Sequence, residues 1–148
     1  ADHASKVARA ALDKGDVSVA ALWPFMAAYK REQGVPFVGL DAVQKFMVSE
    51  PKINLELLFT RGVLKIEEFW GGGGQNEVNK LLMLLRLTKL ADRPRFIGRL
   101  IKSVGIAGKL KEHYMDFPEQ YDPAAFQAWV QKKEALFDQL PPALLPPR

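Results

Sequence analysis

The stretch Glu56–Gly74, ELLFTRGVLKIEEFWGGGG, decides how this chain is read. Gly62 stands in the middle of a dense apolar and charged run, and Gly71 to Gly74 end that run. Two readings compete for Gly62. In the first, LLFT-RG-VLKI is a β-hairpin turning at Arg61-Gly62. That dipeptide is not among the favoured hairpin pairs such as Asn-Gly or Asp-Gly, and Leu57, Leu58 and Phe59 are apolar in succession rather than in alternation. In the second, the segment is a helix. Leu55, Leu58/Phe59, Gly62, Ile66 and Phe69/Trp70 recur at helical spacing, with Glu56, Lys65 and Glu67 largely outside the stripe. The helix matches better. It predicts Gly62 on a buried face, where glycine costs about 1 kcal/mol relative to alanine. Close approach would offset that cost, by a neighbouring helix backbone or by a ligand or acyl chain. Gly71–Gly74 read as a terminator. No Lys-Ser/Thr follows them, so they are not a P-loop.

Outward from this segment the chain reads as helices. Ser5 to Leu12 is a short helix stopped by DKGD. Asp16 is the expected N-cap of the next, with Gly34 and Pro36 as its stop. Pro24 either kinks that helix or opens a new one, and a break near Leu22–Trp23 is the favoured solution. Leu40 to Val48 has helical spacing and ends before Pro51. Asn76 to Leu90 is strongly apolar. A short helix begins near Pro94, with Phe96, Ile97, Leu100 and Ile101 on one face, and GIAG separates it from KLKEHYMDF. Asp122-Pro123 is an N-cap and N1 pair, opening a helix to about Leu140. PPALLPPR reads as an extended tail. There is no internal repeat and no long period-2 strand. The expected architecture is a single all-α helical bundle over residues 1–148, its core at about 16–104 and a C-terminal extension and tail at 105–148.

The totals narrow the function. The 148 residues suffice for one domain with a core. No apolar run approaches the roughly 18 residues needed to span a bilayer, which predicts attachment at a membrane surface at most. ADHASKVARAALDKG lacks the apolar segment of a secretory signal, and a removed import peptide would leave no trace. Without cysteine the chain has no disulfide, thiolate metal site or cysteine nucleophile. The net charge of +4 lies in blocks. Residues 1–74 balance nine bases against nine acids. Residues 80–111 carry nine bases (Lys80, Arg86, Lys89, Arg93, Arg95, Arg99, Lys102, Lys109 and Lys111) against Asp92 alone. That block suits nucleic-acid phosphates, an acidic protein, anionic lipid heads, or only the solvated face of a core helix.

Catalytic patterns are missing. His3 and His113 stand alone, with no ligand partner at i+3 or i+4. His3 reads as terminal and solvated, and His113 as surface or half-buried. Glu67 and Glu68 are adjacent, so on a helix they diverge. There is no nucleophile elbow. The expectation is a non-enzyme with no catalytic residue, metal or cofactor. Trp23, Trp70 and Trp129 lie on apolar stripes and read as core.

LELLFTRGVLKIEEFW resembles the third helix of the LYR-motif accessory subunits of mitochondrial respiratory complex I, the type that holds an acyl carrier protein. Glu56, Leu57, Leu58, Arg61, Gly62, Ile66 and Glu67 match in type and order. AVQKFMVSEP resembles the second helix of that family. ADRPRFIGRLIKSVG, through Arg93, Pro94, Arg95, Phe96 and Ile97, resembles its late segment. At the signature Leu-Tyr-Arg position this chain has Leu22-Trp23-Pro24, and the nearest bases are Lys30 and Arg31. The resemblance implies a three-helix core and a non-catalytic accessory subunit on the matrix side of the inner membrane. Its partners would be other subunits and an acyl carrier protein, met by Leu22, Trp23, Lys30, Arg31, Arg93, Arg95 and Arg99. The alternatives are a basic nucleic-acid-binding module and a lipid- or acyl-binding bundle with Gly62 at the cavity wall.

Overall fold

The computed structural model describes residues 2–64 and 85–142, and every described element is helical. Glu67, Glu68, Trp70, Gly71–Gly74, most of the helix expected from Asn76 and most of the proline-rich tail lie outside the described residues. The elements are α1 (Asp2–Lys14), α2 (Val19–Tyr29), a π-helical turn (Lys30–Gly34), α3 (Val35–Val48), α4 (Lys52–Thr60), a 3₁₀ turn (Thr88–Leu90), α5 (Pro94–Met115) and α6 (Pro123–Phe137). The all-α reading holds.

Local chemistry explains most boundaries. Gly15 takes φ +63° and closes α1, with Gly15 N–H donating to Leu12 O and Asp16 N–H to Ala11 O. The cap of α2 is Ser18 rather than Asp16: its hydroxyl accepts from Ala21 N–H, and Asp16 instead accepts from Ser18 N–H. Pro51 precedes α4 as expected. Asp122 caps α6 by accepting from Ala124 N–H, with Pro123 in the first turn. That helix ends at Phe137, slightly before the expected Leu140.

Three expected breaks are absent. Pro24 lies inside α2, so there is no break at Leu22–Trp23. It withholds one hydrogen bond from the Ala20 carbonyl, and burial of Trp23 and Ala27 offsets that loss. Gly34 and Pro36 do not stop the helix either. The chain widens into a π turn over Lys30–Gly34 and continues as α3. The wider turn accommodates a proline that cannot donate to Glu32. GIAG does not divide α5, which runs unbroken for 22 residues. Phe96, Leu100, Ser103, Ile106, Leu110 and His113 are all buried along it, so one helical stripe passes through the glycines.

Gly62 corrects the opening expectation. It lies beyond the end of α4, at φ +62°, and is neither a hairpin turn nor a glycine inside a helix. Gly62 N–H donates to Phe59 O at 2.9 Å and Val63 N–H to Leu58 O at 2.9 Å. Val63 and Leu58 are buried together. This is the Schellman ending, in which a left-handed residue satisfies the last carbonyls of a helix. A Cβ at Gly62 would meet only Lys89 Nζ, at 3.6 Å. Its role is therefore conformational and not one of close helix packing. Close approach falls instead to Gly34, where a Cβ would sit 2.8 Å from the Tyr114 ring.

The chain divides into two compact units, residues 1–41 with 106–139, and residues 42–105 with 140–148. This division differs from the expected core at 16–104 with an extension from 105. In the first unit, α1 packs on α2, and Trp23, Ala27, Phe117 and Trp129 form a core with Tyr114, Phe126 and Val130 around it. Trp23 stacks on Phe117 at 5.2 Å, and Phe117 meets Trp129 edge-on at 5.0 Å. His113 is buried. Its ring stacks on Trp129 at 4.9 Å, and Trp129 Nε1 donates to His113 O. His113 Nε2 lies 2.9 Å from Trp129 O, an acceptor, so Nε2 carries the ring proton. In the second unit the core is Phe46, Leu58, Val63, Leu87, Leu90, Phe96 and Leu100.

Three glycine substitutions separate these roles in urea denaturation. Gly34→Ala should destabilise by about 1–3 kcal/mol through overpacking against Tyr114. Gly62→Ala should cost about 1–2 kcal/mol through its positive φ. Gly105→Ala, mid-helix with open space around it, should stabilise by about 0.5–1 kcal/mol.

Candidate functional site

In the second unit, the start of α5 and the first turns of α4 line an open groove of about 400 Å³, bounded by Asn54, Asp92, Arg93, Pro94, Arg95, Phe96 and Arg99. Its floor is fixed by apolar packing: Phe96 is buried and stacks on Phe46 at 6.1 Å. Its polar wall is fixed by Glu50. The Glu50 side chain has 0% exposure, although it is a carboxylate. It is satisfied by a bidentate grip from Arg99, Nε to Oε1 at 2.6 Å and Nη2 to Oε2 at 2.8 Å, and by Asn54 Nδ2 at 2.9 Å. Asn54 in turn accepts from Arg93 Nη1 at 3.1 Å. Two arginines are thus held along one wall by a buried Glu–Asn pair.

Arg61, which caps α4, reaches the same region. It donates to Lys89 O at 2.8 Å and pairs with both oxygens of Asp92. This ties the end of α4 to the turn that leads into α5. The Arg61 guanidinium, chiefly through its hydrogen bonds, holds the Asp92 carboxyl below its usual range. Arg95 is exposed, and its side chain has no hydrogen bond or ion pair among the described residues. The first turn of α5 contains no acid. Cations at a helix N-terminus are unfavourable, so this end of α5 carries an electrostatic debt that an anion would relieve.

The expected partner-contact residues separate by unit. Arg93, Arg95 and Arg99 are brought together in the groove. Among those of the first unit, Trp23 is core, and its Nε1 donates to Pro118 O at 2.8 Å. Arg31 donates to Met115 O and Phe117 O and pairs with Glu119 at 3.2 Å, tying down the chain at the end of α5. Lys30 Nζ lies 5.8 Å from the centre of the Tyr114 ring. These three serve their own unit. Leu22 does face solvent, at 41% exposure. With it stand Val19, Met26 and Tyr29 at 57%, 40% and 45%, an i, i+3, i+7, i+10 row on α2. Residues 17–29 contain no charged side chain.

His3 pairs with Glu32 at the surface, 2.9 Å away. Among the described residues no group of three or more His, Asp or Glu could hold a metal ion, and no helix is long and apolar enough to cross a membrane. Sequence reading missed Glu50, Asn54 and Asp92. Glu50 was visible only as part of a turn, and Asn54, at i+4 from it, was the one available signal. No protein-family model matches the chain, and neither a curated protein nor a solved structure matches it.

Two substitutions test the network. Glu50→Ala should destabilise by about 3 kcal/mol, because it strips a buried partner from Arg99 and Asn54, as measured by chemical denaturation. Asp92 gives a pH signature. Its folded pKa lies below the unfolded one, so its contribution is complete above the usual carboxylate range and is lost as pH falls through the lower folded value. The stability difference between wild type and Asp92→Asn should stay flat from neutral pH down to that range, then shrink in acid. A difference unchanged into strong acid would show that Arg61 does not engage Asp92 in solution.

Proposed function

We propose that this chain is a non-catalytic helical docking subunit that joins a larger protein assembly through the exposed apolar face of α2. One observation carries the reading: Val19, Leu22, Met26 and Tyr29 stand exposed in one row, in a stretch of 13 residues without charge. Scattered exposed apolar residues are ordinary on protein surfaces, but an aligned row without a charged neighbour in its stretch favours a partner surface. Met and Tyr are also residue types enriched where proteins meet.

The resemblance of Glu56–Glu67 to the LYR-motif subunits gives this proposal its particular form. The assembly is then a mitochondrial respiratory complex of the complex I kind, on the matrix side of the inner membrane. An acidic carrier protein would then be a further partner. The support for that form is the matched residue types and the basic residues near α5. With Trp23 and Arg31 turned into their own unit, carrier contact would fall to Leu22 and the α5 arginines. The nucleic-acid alternative has less to draw on, because Arg99 is already paired with Glu50. A polyanion would release few counterions here and show a shallow salt dependence.

Co-purification of the tagged chain from its native source in mild detergent tests the proposal. Wild type should bring down a defined set of subunits. The double variant Leu22→Glu/Met26→Glu should lose them while keeping its helical circular dichroism, since both side chains are exposed. Recovery of wild type as a free monomer, or an unchanged subunit set with the double variant, would sink the reading.

A further inference from the structure

A second site, separate from the α2 face, lies in the groove at the start of α5. We propose that it binds a dianionic phosphate monoester carried by a soluble ligand.

The argument begins with charge. In the groove and the network behind it, among the described residues, the guanidinium groups of Arg61, Arg93 and Arg99 meet the carboxylates of Glu50 and Asp92, and that of Arg95 is paired with neither. The carboxylates neutralise Arg99 and Arg61 through two-point pairs. Arg93 is held by the neutral Asn54 side chain and lies 4.0 Å from Asp92, which Arg61 already engages at both oxygens, so the excess positive charge rests on Arg93 and Arg95, both on the lining of the open space. A carboxylate would leave that excess half compensated. A phosphate monoester carries about −1.5 to −2 near neutral pH and presents three acceptor oxygens, which matches it.

Preorganisation is the second element. Long arginine side chains lose much conformational freedom when they grip a ligand. Here buried Asn54 already holds Arg93, and buried Glu50 holds both Asn54 and Arg99. Arg99 has spent Nε–H and one Nη2–H on Glu50, and its Nη1 hydrogens remain. Planar guanidinium forks suit phosphate oxygens. The third element is position. α5 is 22 residues long; Pro94 has no N–H, and Arg93, Phe96 and Ile97 N–H already donate to Leu90 O and Arg93 O, which leaves Arg95 N–H as the open backbone donor of its first turn among the described residues. That single donor adds to a site already defined by the groove and its arginines. The size of the opening fits one small anionic group with a short attached portion.

The test is isothermal titration of the full chain with phenyl phosphate. Saturable binding is expected at pH 7.5, weakening as pH falls below about 6, where the ester becomes a monoanion. Methyl phenyl phosphate, the monoanionic diester that keeps the phenyl group, should bind at least about tenfold more weakly, as should phenyl phosphate to Arg95→Ala. Arg95 has no partner within the described fold, so that variant keeps its structure. Lys52→Ala, outside the groove, should bind as wild type does. The proposal is overturned by absence of saturable binding, by Arg95→Ala binding as wild type, or by equal affinity for methyl phenyl phosphate. Retention on phosphatidic acid vesicles without binding of the soluble ester would also overturn it, and would assign the groove to a lipid head.

Discussion

A carboxylate with no exposed surface has to be paired, and in the second unit that requirement falls on Glu50. Removing an ion from water costs several kcal/mol, and only close, well-directed hydrogen bonds return it. Arg99 supplies two of them and Asn54 a third. To do so, the turn before α4, the first turns of α4 and the second turn of α5 must meet in one arrangement. Phe96 on Phe46 fixes the apolar side of the same junction. The groove exists because this polar junction stands at the edge of the core, with Arg93 and Arg95 on the open side.

The first unit is organised by aromatic packing instead. Trp23, Phe117 and Trp129 fill its centre, and each indole N–H finds a backbone carbonyl. Arg31 secures the chain where α5 ends, and Gly34 leaves room for Tyr114. These inward commitments free the other side of α2, whose uncharged row is exposed. The two surfaces with functional potential thus have opposite chemistry: an apolar helix face in one unit and an arginine-lined groove in the other.

Much of the helical layout was legible because its signals are local. Asp122-Pro123 caps a helix with its own side chain, Pro51 cannot continue one, and Gly15 ends α1 by taking a conformation other residues resist. The misreadings share a cause. Pro24, Gly34, Pro36 and the GIAG glycines each disfavour a helix by a modest local penalty. Burial of Trp23, Ala27, Ile106 and Leu110 outweighs those penalties. Gly62 failed in the opposite sense. Its apolar neighbours have helical spacing on both sides, so periodicity hid a true terminus.

The amino-acid order by itself determined the all-α class, the Asp122-Pro123 cap and the basic segment around α5. Those properties reside in neighbouring residues or in simple totals. Only the tertiary structure decided which arginines are spent and which are available, because Glu50 and Asn54 are far in sequence from Arg99 and Arg93. It also decided that Trp23 and Arg31 serve the fold while Leu22 faces outward. Adjacent positions on a helix point in different directions, and only packing selects the one that is buried.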